Sequence, residues 1–105
     1  MMKDKRYARV TCKSGFSVSI QAGEGKYCQP RSRAEGTEYK ALELGFPSQD
    51  DFIISPYAEN PSAPTETVYG YVPVSDVYLL ISKHGGVVSG EVPLGVPVYG
   101  GKSYG

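Results

Sequence analysis

The fold is most clearly indicated by one stretch near the N-terminus, Ala8-Arg-Val-Thr-Cys-Lys-Ser-Gly-Phe-Ser-Val-Ser-Ile-Gln21. Apolar and polar residues alternate on both sides of Ser14-Gly15, and a period of two on either side of a turn is typical of a β-hairpin. One face carries the apolar side chains and is predicted to point inward. The other face is predicted to point outward, and it carries Arg9, Thr11, Lys13, Ser17, Ser19 and Gln21.

More strands are predicted after this hairpin. Residues 23–38 are polar and interrupted by Gly and Pro, which indicates a long loop. Apolar residues alternate again over 39–46, so a third strand is predicted there, and Pro47 would end it. β-type residues predict three further strands, over residues 52–54, 67–72 and 87–92.

One segment has helical spacing instead. Val74, Val77, Tyr78 and Ile81 follow the i, i+3, i+4, i+7 pattern, and a glycine pair follows His84. A single helix over 74–84 is therefore predicted, with its apolar stripe against the sheet. The fold class that follows is α+β: a mostly antiparallel sheet of about five strands with one helix, in the C-terminal half, packed on one face.

Length and composition fit one small domain. The chain has 105 residues, of which 40% are hydrophobic and 21% charged, proportions that an ordinary globular domain has. Thirteen Gly, eight Pro and nine Tyr favour strands and turns over helices. We assign residues 1–92 to the domain. Residues 93–105 are rich in Gly and Pro and are expected to form an extended tail rather than core.

Charge is balanced overall but unevenly distributed. The formal net charge is zero, which excludes the global attraction to nucleic acid or anionic membranes that a strongly basic protein has. Residues 1–33 nevertheless carry eight basic and two acidic side chains, a local balance of +6. Either this third forms a basic face, or the two parts of the chain pair with each other and the asymmetry cancels in space.

The sequence also bears on compartment. Residues 1–10 lack the apolar run of a secretory signal, and no apolar window approaches about 20 residues. We expect a soluble cytoplasmic protein without a membrane partner. In a reducing compartment, Cys12 and Cys28 are expected to be buried thiols rather than a disulfide.

Catalytic and metal chemistry have little support in the residues. His84 is the only histidine, and at the end of a predicted helix such a residue commonly caps carbonyl groups. Cys12, Cys28 and His84 lack the close spacing of a zinc site, and no glycine-rich phosphate loop is present. We therefore expect a protein that is not an enzyme and needs no cofactor or metal.

Binding is better supported. Tyrosine supplies large contact area with little rotamer entropy and is enriched at protein interfaces, so nine tyrosines favour a protein-binding module. The alternative is a module for single-stranded nucleic acid. Tyr69 and Tyr71 would share one face of their strand, and together with Arg9 and Lys13 they would form a platform on which bases stack. Three further tyrosines, Tyr7, Tyr27 and Tyr39, lie near the basic segment.

Six segments together carry a resemblance to a known family. They are Val10-Thr-Cys-Lys-Ser-Gly-Phe-Ser-Val-Ser-Ile-Gln-Ala22, Tyr27-Cys-Gln-Pro-Arg31, Glu43-Leu-Gly-Phe-Pro-Ser48, Tyr57-Ala-Glu-Asn-Pro61, Thr67-Val-Tyr-Gly-Tyr-Val-Pro-Val74 and Lys83-His-Gly-Gly86. In these segments the chain resembles a family of short, uncharacterised bacteriophage and prophage proteins. The resemblance implies expression in the host bacterial cytoplasm and binding to a host protein. Inhibitors of bacterial defence, among them anti-CRISPR proteins, are one class of this kind.

The candidate binding residues follow from charge and loop position. They are Arg9, Lys13, Arg31 and Arg33 in the basic third, and Tyr57, Glu59 and Asn60 in a proline-rich loop. We expect them to contact a host defence protein and inhibit it. A small virion or assembly protein is the remaining alternative, in which residues 93–105 would be an arm exchanged between neighbours.

Overall fold

The computed structural model describes residues 5–99 and, for the backbone alone, residues 102–104. Its strands are β1 (Val10–Cys12), β2 (Ser17–Gln21), β3 (Ala41–Gly45), β4 (Val68–Pro73), β5 (Val87–Val92) and β6 (Lys102–Tyr104). They form one sheet in the order β4-β3-β2-β1-β5-β6, and every neighbouring pair is antiparallel. Helix α1 (Val74–Lys83) lies between β4 and β5 in the chain. The predicted α+β class is confirmed.

The hairpin forms where the alternation predicts it. Val10 pairs with Val18, and the turn is closed by the Cys12 N–H, which donates to the Phe16 carbonyl at 2.8 Å. Gly15 has a φ of +96°, which a residue with a side chain rarely adopts. The apolar residues of both strands are buried, so this face of the sheet belongs to the core.

Helix α1 covers the same core. It begins after Pro73, has Asp76 in its first turn and ends at Lys83, with His84 as its C-cap. The side chains of Val77, Leu80 and Ile81 are buried in the core cluster. The helix predicted over 74–84 is therefore confirmed to within one residue.

Residues 52–54 form a turn, so the strand predicted there is wrong. Asp51 Oδ1 accepts the Ile53 N–H at 2.9 Å, and the Asp51 carbonyl accepts the N–H groups of Ile54 and Ser55. These local bonds satisfy the backbone groups that a strand would need for its ladder. The turn continues into a 3₁₀ helix over Ser55–Tyr57, where Pro56 sits in the first turn.

The second face of the sheet is only partly solvent-exposed. Gln21 is 4% exposed: its Nε2 donates to the Tyr7 carbonyl at 2.8 Å, and its Oε1 accepts the Tyr7 N–H at 2.9 Å. Ser19 is also buried and accepts a bond from the same amide. The expectation that Ser19 and Gln21 face solvent is wrong, because the segment before β1 lies against them.

The chain after Val92 returns to the core. Val96 is 2% exposed and belongs to the core cluster, and the Tyr39 N–H donates to the Leu94 carbonyl at 2.9 Å. Gly95 approaches the Tyr39 backbone so closely that a Cβ there would overlap it. The expectation that this segment stays outside the core is therefore wrong for Val96.

Candidate binding surface

A bulge in β4 turns Tyr71 toward solvent. The register shifts between Leu42 and Leu44 of β3, so that Gly70 and Tyr71 both lie opposite Glu43. Tyr71 has a φ of +54°, in the left-handed region that costs a residue with a side chain about 1–2 kcal/mol. Bulges of this kind redirect side chains and are common beside functional sites. As a result, the Tyr71 side chain is 43% exposed.

Tyr27 meets Tyr71 from the loop between β2 and β3. The Tyr27 N–H donates to Glu43 Oε2 at 3.0 Å, and the Tyr27 carbonyl accepts the Tyr71 N–H at 2.9 Å. Gly70 leaves room for the ring, since a Cβ there would lie 3.3 Å from Tyr27 Cβ. The two ring centroids are 5.9 Å apart at an interplanar angle of 41°, and Tyr27 is 42% exposed. We call Tyr27, Tyr71 and Glu43 the tyrosine patch.

The sequence points only partly to this patch. The prediction that Tyr69 and Tyr71 share one face is wrong, because Tyr69 is fully buried and Tyr71 is exposed. Counting in steps of two cannot detect a bulge, although a glycine inside a strand, here Gly70, is a known signal for one. Nothing in the sequence indicates that Tyr27 contacts β4.

Two of the predicted basic residues lie at the end of the sheet with the β1–β2 turn. Arg9 donates through Nη2 to the Phe46 carbonyl at 2.6 Å and to the Ser17 carbonyl at 3.2 Å, and through Nε to Ser17 Oγ. Phe46 is an exposed aromatic residue with a φ of +53°. Lys13 is exposed in the turn itself. Through neutral acceptors, Arg9 therefore joins the segment before β1 to the start of β2 and to the residue after β3.

The other two basic residues lie in the loop at the opposite end of β2. Arg31 Nε donates to the Glu24 carbonyl at 3.2 Å, and Arg33 Nε lies 3.8 Å from Glu24 Oε2. The structure thus places them apart from Arg9 and Lys13, and both contact the same acidic residue. The predicted basic residues do not form one surface.

Tyr57, Glu59 and Asn60 lie beside β4 and mostly organise their own loop. The Tyr57 hydroxyl donates to Asp76 Oδ2 at 2.6 Å, and this bond raises the pKa of Tyr57. The Glu59 N–H donates to the Val68 carbonyl at 3.0 Å, while its side chain remains exposed. Asn60 Oδ1 accepts bonds from the Ser62 N–H and hydroxyl.

Ion pairs partly cancel the uneven charge of the sequence. Lys5 Nζ lies 3.0 Å from Glu91 Oε2, which joins the basic third to the acidic remainder of the chain. The Arg33–Glu24 contact neutralises charge within the basic third. Of these two contacts, the Lys5–Glu91 pair is the one that joins the two parts of the chain.

A second polar cluster ties the C-terminus of α1 to two loops. His84 Nε2 donates to Asp51 Oδ2 at 2.8 Å, and His84 Nδ1 lies 3.2 Å from Ser14 Oγ. Lys83 Nζ lies 3.1 Å from the same Asp51 oxygen. Burial alone would raise the pKa of Asp51, but hydrogen bonds from the Ile53 N–H, His84 and Lys83 outweigh it and lower the pKa. Asp51 is thus held in its ionised form by the groups that surround it.

Ser14, His84 and Asp51 have the residue types of a serine nucleophile, a base and an orienting acid. The surroundings of the cluster favour a structural role instead. An acyl-transfer site also needs free N–H donors for the oxyanion. The N–H groups of residues 13–16 are all engaged: Lys13 donates to Gly86, Ser14 to His84, Gly15 to Cys12 and Phe16 to Ser14 Oγ. The His84 ring also stacks on Phe16, with centroids 4.0 Å apart.

Both cysteines are buried free thiols. Burial raises the pKa of Cys12, which makes its thiol a poor nucleophile at neutral pH. Within the part of the chain that the structure describes, no three His, Cys, Asp or Glu side chains are grouped closely enough to hold a metal ion.

Among residues 5–99 and 102–104, no helix has the length and apolar character needed to cross a bilayer. In comparisons with known proteins, the chain matches no family model, no curated sequence and no solved structure.

Proposed function

We propose that this protein is a non-enzymatic binding module that docks onto another protein through the tyrosine patch. The observation that carries the proposal is the exposure of two contacting tyrosines on a bulged strand, one of them with a left-handed backbone. Tyrosine is among the residues that contribute most to protein interfaces, and truncation of one at the centre of an interface typically costs about 2 kcal/mol or more.

The backbone around the patch supports a role beyond folding. Tyr71 has a left-handed backbone, which costs free energy, and its side chain is nevertheless only partly buried. Such local strain is typical of functional sites. The bonds of Tyr27 to Glu43 and Tyr71 also fix its backbone, so docking would require little ordering.

The charge around the patch favours a protein partner over nucleic acid. Glu43 places a carboxylate beside the rings, where it repels a phosphate backbone. In the same loop Arg31 and Arg33 contact Glu24, whereas Lys26 and Lys40 make no ion pair among residues 5–99. The Glu43 carboxylate is therefore the charge that favours a protein partner, since a platform for single strands combines exposed rings with cations.

The resemblance to phage proteins extends the proposal to the identity of the partner. A bacterial host protein, such as a defence effector that this protein inhibits, is the partner that the resemblance implies. Of the predicted residues, Glu59 is exposed beside β4 and stays a candidate for the rim of that contact, whereas Lys13 is exposed at the other end of β2 from Tyr27.

A pull-down from bacterial lysate tests the proposal. The tagged wild-type protein is compared with the variants Tyr27→Ala and Tyr71→Gly, and with Phe52→Ala as a matched control. Phe52 is a 76% exposed aromatic residue outside the patch. Each sample is run with and without nuclease, and circular dichroism checks that every variant is folded.

We expect one protein, captured in stoichiometric amount and resistant to nuclease, that is lost with either tyrosine variant and kept with Phe52→Ala. Capture that is unchanged by both tyrosine variants would refute the surface. Capture that disappears with nuclease would favour the single-stranded nucleic-acid alternative.

A further inference from the structure

Among residues 5–99, two lysines each lie close to both a carboxylate and an aromatic ring. Lys5 Nζ lies 3.0 Å from Glu91 Oε2 and 4.8 Å from the ring centroid of Tyr7. Lys83 Nζ lies 3.1 Å from Asp51 Oδ2 and 4.3 Å from the ring centroid of Phe52. In each case the ring and the carboxylate attract the same ammonium group.

The tyrosine patch has the same two kinds of group without a cation. Glu43 supplies the carboxylate, and only its Oε2 accepts a bond, from the Tyr27 N–H. Among residues 5–99, no lysine or arginine pairs with Glu43 and none lies over the Tyr27 or Tyr71 ring. Glu43 is half-buried, which strengthens its attraction for a cation that covers it.

We infer that the tyrosine patch binds a cationic side chain, arginine or lysine, of the partner protein. The cation contacts the Glu43 carboxylate and the face of at least one tyrosine ring. This inference rests on the proposed function, and it adds the chemistry of the group that the patch recognises. An arginine suits the site well, because a planar guanidinium stacks on an aromatic ring while it donates hydrogen bonds to a carboxylate.

A titration with a small ligand tests this chemistry without the partner. Nα-acetyl-arginine amide is added to the ¹⁵N-labelled protein up to about 100 mM at constant ionic strength, and amide shifts are followed by NMR. Nα-acetyl-citrulline amide is the control probe, since its side chain has nearly the same shape as arginine but is neutral. The variants Glu43→Gln and Tyr71→Asn are titrated in parallel, and asparagine is chosen because it tolerates a left-handed backbone.

The expected result is a saturating shift of the Tyr27, Glu43 and Tyr71 amides with arginine and not with citrulline. Glu43→Gln should raise the arginine concentration at half-saturation by about threefold, since an exposed pair contributes up to about fivefold in affinity. Tyr71→Asn should weaken binding by a similar factor. Absence of shifts at these amides, or equal shifts with citrulline, would overturn the inference.

The two proposals fail in distinguishable ways. If Glu43→Gln captures the partner from lysate as well as the wild type does, while Tyr71→Gly does not, the tyrosine patch is a binding surface but does not bind a cation. If neither variant changes capture, the surface itself is wrong, whatever the small-ligand titration gives.

Discussion

Replacing Tyr71 by glycine should leave the protein more stable than replacing it by alanine. Both substitutions remove the ring, so its contact with Tyr27 is lost equally and cancels in the comparison. Alanine at a φ of +54° keeps the cost of a left-handed backbone, about 1–2 kcal/mol, whereas glycine does not. Glycine loses more conformational entropy than alanine on folding, which costs about 0.5–1 kcal/mol of free energy. The glycine variant should therefore be the more stable by roughly 0.75 kcal/mol, the difference between the midpoints of the two ranges.

Urea unfolding at 25 °C, followed by circular dichroism, measures this difference. The same pair of substitutions at Thr11, which lies in β1 and is paired with both neighbouring strands, is the control. There alanine should be the more stable by about 0.5–1 kcal/mol, because Thr11 does not have a left-handed backbone. If alanine is also the more stable at position 71, the backbone of Tyr71 is not strained and the argument that links strain to function fails.

Three further predictions concern the core and the polar cluster. Asp51→Ala should lower the free energy of unfolding by about 1–3 kcal/mol in urea titrations, because it leaves the buried His84 Nε2 without its acceptor, and an unchanged free energy of unfolding would refute that role. The folded pKa of Asp51 lies below its ordinary value of 3.8. The ionised carboxylate therefore stabilises the fold above pH 3.8, and this stabilisation is lost as the pH falls through the folded pKa. Acid titrations of the wild type should show the loss, and those of Asp51→Asn should lack it. Val96→Ala should cost roughly 1–3 kcal/mol and Val98→Ala less than about 0.5 kcal/mol by the same unfolding assay, and equal effects would mean that Val96 is not in the core.

The sequence predicted the elements whose pattern is local. The hairpin over 8–21 and the helix over 74–84 are confirmed, since alternation and helical spacing each depend only on near neighbours. The strand at 52–54 is wrong because Asp51 bonds to its own backbone, an option that a count of apolar residues does not include.

The candidate surface depends on contacts that no local pattern contains. The exposure of Tyr71 comes from a register shift between β3 and β4. Tyr27 bonds directly to the Tyr71 backbone, forty-four residues further along the chain, and its N–H donates to Glu43. Gln21 is buried because Tyr7 lies against it. Such pairings between distant segments decide which polar residues are exposed, so the predicted binding residues did not include the patch.

Photo-crosslinking tests most directly whether a partner docks on the tyrosine patch. The photoreactive amino acid p-benzoylphenylalanine replaces Tyr27 in one sample and Phe52 in another, and both proteins are irradiated in bacterial lysate. If a partner docks on the tyrosine patch, we expect one protein adduct from position 27 and none from position 52. An adduct of the same protein from position 52 alone would contradict it.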